Sequence, residues 1–216
     1  MRYSAFVLLA AFAIGCTDAR AANPYEVFRL GMSEADVVAA AEAHGGSVVD
    51  PTKIVPQDAG RKPPDFGSFQ MLVGGIPTGT MGLGMFVLEN GELKSIMFDY
   101  NFKSPKPRIS QDTCDTMFAH IRQTIAMAHG QPASDEVEVE DDIRGHLLTW
   151  QLEEGTLWAY QRMHGTAAPE KDPYCSDVVT TAFAGTDEAC EEFYARFLNA
   201  MGLPADSLVT AAPIRQ

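Results

Sequence analysis

The chain has 216 residues, of which 46% are hydrophobic and 21% charged, and its formal net charge is −13. This composition is typical of a globular domain and excludes a disordered chain, because it supplies enough apolar side chains to bury a core. The acidic excess argues against nucleic acid and anionic lipid surfaces as partners, since both repel a negative field.

The N-terminus has the residue order of a bacterial secretory signal. The cationic Arg2 comes first, an uninterrupted apolar run covers residues 5–15, and small residues follow up to Ala22. The apolar run is shorter than the roughly 20 residues that a membrane-spanning helix needs. We therefore expect an exported protein that works outside the cytosol and uses no nucleotide cofactor.

Two routes could process this signal. Residues 19–21 read Ala-Arg-Ala, an A-x-A site whose cleavage removes residues 1–21 and releases a soluble periplasmic protein. Residues 13–16 are instead similar to a lipobox that ends in Cys16, with Ala13 where leucine is usual. Lipidation of Cys16 would give an outer-membrane lipoprotein, and this anchor is the only membrane contact that we expect.

Two segments early in the chain have the pattern of an amphipathic helix. The first begins after Ser33, whose hydroxyl can cap it while Asp36 completes a capping box, and it ends at His44. The second follows Ser110 and ends at Gly130. Apolar residues at helical spacing line one face of this second segment: Cys114, Met117, Phe118, Ile121 and Ile125.

A third helix is predicted to begin after Thr186, with acidic residues in its first turn, and to end at Gly202. Strands are predicted for most of the chain between the helices. Asn90-Gly91 is a strong hairpin signal. The predicted strands cover residues 68–74, 82–88, 92–101, 136–140, 146–152, 156–163 and 176–184.

This order of elements predicts an α+β fold, an antiparallel β-sheet with two to three helices packed on one face. We expect a single domain over residues 22–204, a long loop at 51–64 and a flexible tail at 205–216. Two short strings recur: Ala-His-Gly at 43–45 and 128–130, and Leu-Glu-x-Gly-x-Leu at 88–93 and 152–157. They fit a tandem duplication split near residue 105, and they fit equally well the general likeness of helix ends and hairpin turns.

Residues 28–37 read Phe-Arg-Leu-Gly-Met-Ser-Glu-Ala-Asp-Val, and the helix that follows closes on Gly45. This segment resembles the opening of the small outer-membrane assembly lipoproteins of the BamE/SmpA type, which begin with Gly-Met-Ser/Thr and pack two helices on an antiparallel sheet. The β-lactamase-inhibitor-protein family looks like two such units in tandem. The resemblance covers the first helix region and implies a non-catalytic scaffold or binding module.

No motif in the chain predicts a catalytic centre, a metal site or a cofactor. The five histidines lack the spacing of zinc hydrolases, and His44 and His129 fit helix ends, where a cation complements the helix dipole. The acidic run at 135–142 lacks the residue order of a calcium loop. Its charges fit better an exposed edge strand that is protected against aggregation.

Four aromatic residues on or beside strands are candidates for a protein interface: Trp150, Trp158, Tyr160 and Phe102. They would belong to the core if the helices cover their faces. The sequence thus predicts a non-catalytic binding or accessory protein of the periplasm or outer membrane that contacts an unidentified envelope protein. The alternatives are a periplasmic metal-binding protein and an enzyme whose site carries no recognised motif.

Three cysteines remain after the signal, Cys114, Cys175 and Cys190. Cys175 and Cys190 lie at opposite ends of a predicted strand–helix pair, on the order of 20 Å apart for a six-residue strand. A disulfide needs Cα atoms within about 7 Å of each other. We therefore expect a Cys114–Cys175 disulfide and a buried thiol at Cys190.

Overall fold

A computed structural model describes residues 23–54, 67–78, 80–100, 108–165, 172–200 and 202. The predicted signal, most of the predicted 51–64 loop, Phe102 and the predicted 205–216 tail lie outside the described residues. The helices are α1 (Pro24–Val27), α2 (Glu34–Ala43), α3 (Pro51–Ile54), α4 (Gln111–His129) and α5 (Asp187–Ala200). The strands are β1 (Ser47–Val49), β2 (Phe69–Thr78), β3 (Thr80–Glu89), β4 (Glu92–Asp99), β5 (Ile109–Ser110), β6 (Ser134–Glu140), β7 (Ile143–Gln151), β8 (Thr156–His164) and β9 (Tyr174–Phe183).

The strands form one antiparallel sheet in the order β1-β2-β3-β4-β9-β8-β7-β6, and the short β5 pairs with β9. The predicted α+β class with an antiparallel sheet is confirmed. A helix followed by a four-stranded meander occurs twice, as α2 with β1–β4 and as α4 with β6–β9, and the two sets meet where β4 pairs with β9. That this arrangement arose by duplication stays a prediction.

The two recurring strings differ in their relation to this topology. The Ala-His-Gly strings end α2 and α4, which are equivalent helices in the two sets. The Leu-Glu-x-Gly-x-Leu strings lie at the β3–β4 turn and at the β7–β8 turn, which are not equivalent. The Leu-Glu-x-Gly-x-Leu match therefore reflects the residues that hairpin turns commonly use, and it does not support a duplication.

Local signals account for the starts and ends of the main helices. The Ser33 hydroxyl accepts a hydrogen bond from the Asp36 amide at 3.3 Å, and the Asp36 carboxylate accepts one from the Ser33 amide at 3.2 Å, which confirms the predicted capping box. Ser110 caps α4 in the same way through the amide of Thr113. At the end of α2, His44 Nδ1 lies 2.9 Å from the Ala40 carbonyl oxygen, which fits its predicted role at a helix end.

Helices cover both faces of the sheet. The face that we name the α4 face packs against α2 and α4, which bury Val37, Ala41, Phe118 and Ile121 against it. On the opposite face, named the α5 face, Phe193 and Phe197 of α5 belong to a second core cluster. Two helices thus share one face, as predicted, and the third lies on the other. Successive side chains of a strand point to opposite faces, and this separates the two clusters: Phe86 and Leu88 lie on the α4 face and Val87 on the α5 face.

The interface prediction for the two tryptophans is corrected by their burial. Trp158 is 5% exposed and belongs to the core cluster of α5, because that helix covers its face of the sheet. Trp150 is 1% exposed in the cluster of α4, and its indole N–H donates a hydrogen bond to the Gly130 carbonyl just past that helix. Both are core residues.

The predicted disulfide is confirmed. Cys114 in the first turn of α4 is bonded to Cys175 in β9, with an S–S distance of 2.03 Å and a Cα–Cα distance of 6.0 Å. Cys190 is unbonded and buried on the inner side of α5, as expected. The disulfide therefore fastens α4 to a central strand of the sheet.

Candidate functional site

The candidate site lies on the α5 face, where β8 ends and β9 begins. Trp158, Tyr160, Arg162 and His164 follow one another at alternate positions of β8 and share this face. Trp158 is buried under α5, whereas Tyr160, Arg162 and His164 are half-buried. Of the three predicted aromatic residues that the structure describes, Tyr160 is the one in a partly accessible position.

Tyr160 and Arg162 hold each other in place. The Arg162 guanidinium carbon lies 5.6 Å from the centroid of the Tyr160 ring, and its Nε donates a hydrogen bond of 3.2 Å to the phenolic oxygen. Gly145 of the neighbouring strand lies under the same ring, because a Cβ atom there would come within 3.2 Å of the phenolic oxygen. A residue with a side chain at position 145 would displace Tyr160.

A second stack lies at the end of the strand. The rings of His164 and Tyr174 are stacked with their centroids 5.1 Å apart, and the Arg108 guanidinium carbon lies 4.5 Å from the Tyr174 centroid. The strand register places His164 beside Tyr174. The two stacks together form the surface that we name the Arg–Tyr surface, made of Arg108, Tyr160, Arg162, His164 and Tyr174.

A β-bulge in β9 adds a serine and an aspartate to this corner. Arg162 pairs with Asp177 and Met163 with Cys175, so Ser176 has no directly opposed residue on β8. His164 Nε2 lies 2.9 Å from the Ser176 hydroxyl oxygen, and that hydroxyl donates to the buried Asp177 carboxylate at 2.7 Å. The three side chains form a hydrogen-bonded chain.

The direction of these hydrogen bonds does not activate Ser176 as a nucleophile. A serine hydroxyl has one hydrogen, and Ser176 gives it to Asp177. His164 Nε2 therefore donates to Ser176 instead of accepting its proton. A general base for serine attack would need the reverse direction, so the arrangement orients His164 beside Tyr174 rather than activating Ser176.

Metal-ligating side chains and the Cys190 thiol are the other groups that could carry chemistry. The described residues contain no group of three or more histidine, cysteine or acidic side chains placed to hold a metal ion. Burial raises the pKa of the Cys190 thiol to about 12, with Asp187 and Glu191 adding to the effect. Cys190 thus stays protonated at neutral pH and is a poor nucleophile.

Two pockets lie at the described residues outside this corner of the sheet. A cavity lined by Asn23, Tyr25, Tyr100 and His120 has a volume of about 10 Å³, which is room for one water molecule. A shallow groove along α4 is larger, about 350 Å³, but Arg122 is its one titratable lining residue. The cavity is lined by polar groups but is too small for a substrate, and the groove lacks a second titratable group that could act with Arg122.

The acidic segment at 135–142 forms the edge strand β6 and its turn, as expected. Asp135 accepts hydrogen bonds from His146 at 2.7 Å and from Arg122 at 3.0 Å. The hydrogen bond from His146, followed by the charges of His146 and Arg122, holds the pKa of the Asp135 carboxyl below its usual value although partial desolvation opposes this. Asp135 is therefore engaged within the fold rather than placed for a cation.

Sequence reasoning found Tyr160 but missed Arg108, Arg162, His164 and Tyr174. Arg162 and His164 follow Trp158 and Tyr160 at alternate positions of β8, and this pattern could have identified them. Tyr174 and Arg108 join the site through strand pairing and ring contacts, which no local pattern encodes.

No helix in the described part of the chain combines the length and the apolar character that crossing a membrane would require. Comparison of the chain with protein-family models, with curated proteins and with solved structures finds no match.

Proposed function

We propose that this chain is an exported, non-catalytic binding or accessory protein of the bacterial periplasm or outer membrane, and that the Arg–Tyr surface contacts its partner, an envelope protein. Tyrosine and arginine carry a large share of the binding energy of protein interfaces. Here Tyr160, Arg162 and Tyr174 lie half-buried and Arg108 exposed at one corner of the sheet, beside the core that α5 covers. The resemblance of residues 28–45 to the BamE/SmpA type supports a binding module.

One observation carries the proposal: the side chains of the surface are already ordered by one another. Arg162 packs on Tyr160, and Arg108 and His164 both contact the ring of Tyr174. Binding therefore costs little additional side-chain entropy, which raises the affinity that a small contact area can reach.

The export part of the proposal has independent support. The N-terminal 21 residues have the order of a secretory signal. The Cys114–Cys175 disulfide is of the kind that persists in an oxidising compartment. Neither observation distinguishes a soluble periplasmic form from a form anchored through Cys16.

The test is affinity capture from native envelope extracts with the mature chain as bait. The double variant Y160A/R162A removes one stack, and Arg122→Ala is the control because it removes an arginine of the opposite face. We expect the partner to be recovered with the wild type and with Arg122→Ala and to be lost with Y160A/R162A, while thermal melts show all three chains folded. Equal recovery by a folded Y160A/R162A chain would place the contact elsewhere.

The same preparation addresses the two alternatives. Metal analysis of the purified chain that shows about one equivalent of a transition metal would favour the metal-binding protein. An activity that survives Y160A/R162A and requires Ser176 would favour the enzyme.

A further inference from the structure

The sheet ends on one side in β6, a strand of seven residues. Among the residues that the structure describes, β7 is its only strand partner. The edge strand at the other end, β1, has three residues. The outward backbone N–H and C=O groups of residues 137–140 are thus arranged to pair with another extended segment.

The two faces of β6 have opposite character. On the α4 face, Val137 and Val139 are 50% and 68% exposed. On the α5 face, Glu138 and Glu140 are exposed. A strand added at this edge would place apolar residues beside the valines and its alternate residues beside the glutamates, because directly opposed side chains of antiparallel strands lie on the same face.

The glutamates decide which strand can be added. In a two-fold pair of β6 strands centred on Val139, Glu138 of one copy lies opposite Glu140 of the other. Like charges in directly opposed positions destabilise strand pairing, so a second copy of this chain is disfavoured at neutral pH. A strand with lysine or arginine at those positions gains opposite-charge pairs instead.

We propose that β6 is a binding site for an extended protein segment in which basic residues alternate with apolar ones, and that this segment joins the sheet as an added strand. Backbone hydrogen bonds supply the general attachment, and the valines and glutamates select the sequence. The site lies at the edge of the sheet, with its glutamates two strands away from Arg162 and His164 on the α5 face, and it does not depend on the function proposed for the Arg–Tyr surface.

The probe is a synthetic peptide of alternating valine and lysine residues, added to the mature chain. Two control peptides replace lysine by glutamate or keep the composition with the lysines grouped at one end. We expect the alternating peptide to bind, to weaken with added salt, and to protect the backbone amides of β6 against hydrogen exchange. The variant E138Q/E140Q should weaken binding by about two- to thirtyfold, the loss expected for two cross-strand charge pairs.

The matched control variant is E153Q/E154Q, which removes the same charge from the exposed turn between β7 and β8. Equal weakening by both variants, or binding of the grouped peptide with the same affinity, would show attraction by net charge alone and overturn the proposal. Binding without protection of the β6 amides would also overturn it. Protection of β6 that rises with protein concentration in the absence of peptide would identify a second copy as the occupant and contradict the choice of a basic segment.

Discussion

Two aromatic residues two positions apart on β8 have different roles. Trp158 and Tyr160 point to the same face of the sheet, but α5 covers the first and leaves the second half-buried beside Arg162. Burial by one helix therefore separates a core residue from a candidate contact residue.

Replacing Trp158 by alanine should lower the free energy of unfolding by about 3–5 kcal/mol, because it removes a large buried ring and leaves a cavity against α5. Tyr160→Ala should cost clearly less, since that ring is partly in water already. Chemical denaturation of the mature chain with each variant measures both values. Losses of equal size would mean that the two rings are equally buried and that the core ends further along β8.

At the scale of the element, the disulfide joins the first turn of α4 to β9 across 61 residues of chain. Most contacts of α4 with the sheet are apolar and come from one face of the helix, including Phe118, Ile121 and Ile125. The covalent bond adds a restraint at the end where the helix begins.

The variant C114A/C175A should lose about 2–4 kcal/mol of stability, because the crosslink restricts the unfolded chain over a long loop. Denaturant midpoints of the two proteins give the difference, and Cys190→Ala serves as the control that removes a buried thiol but no crosslink. Peptide mapping without reductant should find Cys114 linked to Cys175. A linkage that includes Cys190 would contradict the position of α5.

The elements differ in how far local sequence predicted them. α2, α4 and α5 begin and end within one or two residues of their predicted limits, because caps, acidic first turns and terminal glycines act over a few residues. The seven longer strands were also predicted. The short elements α1, β1, α3 and β5 were missed, since two to four residues carry too little pattern and form through contacts made elsewhere.

Across the whole chain, the first core residues of the described part lie a few positions after the predicted signal. Tyr25 is 6% exposed and Phe28 is 1% exposed, and both belong to the core cluster under α2 and α4. Asn23 caps α1. Removal of residues 1–21 would therefore leave Asn23, Tyr25 and Phe28 in the mature chain.

Intact-mass measurement of the envelope form should give a chain that starts at Ala22 or one that starts at a lipidated Cys16. The two masses separate the soluble form from the anchored form. A cytosolic protein that keeps Met1 would contradict export and, with it, the proposed envelope partner.

Local pattern predicted the α+β class and the limits of α2, α4 and α5, because caps and periodicity act over a few residues. The Cys114–Cys175 disulfide was predicted by excluding Cys175–Cys190, and the structure confirms it. The long-range packing of the chain places α5 on the face opposite α2 and α4, buries Trp150 and Trp158, and brings Arg108 and Tyr174 together with His164 at one corner. An alternating strand shows which side chains share a face, but it does not show which helix covers that face. That choice depends on contacts between segments far apart in the chain, and it determines which aromatic residues remain accessible to a partner.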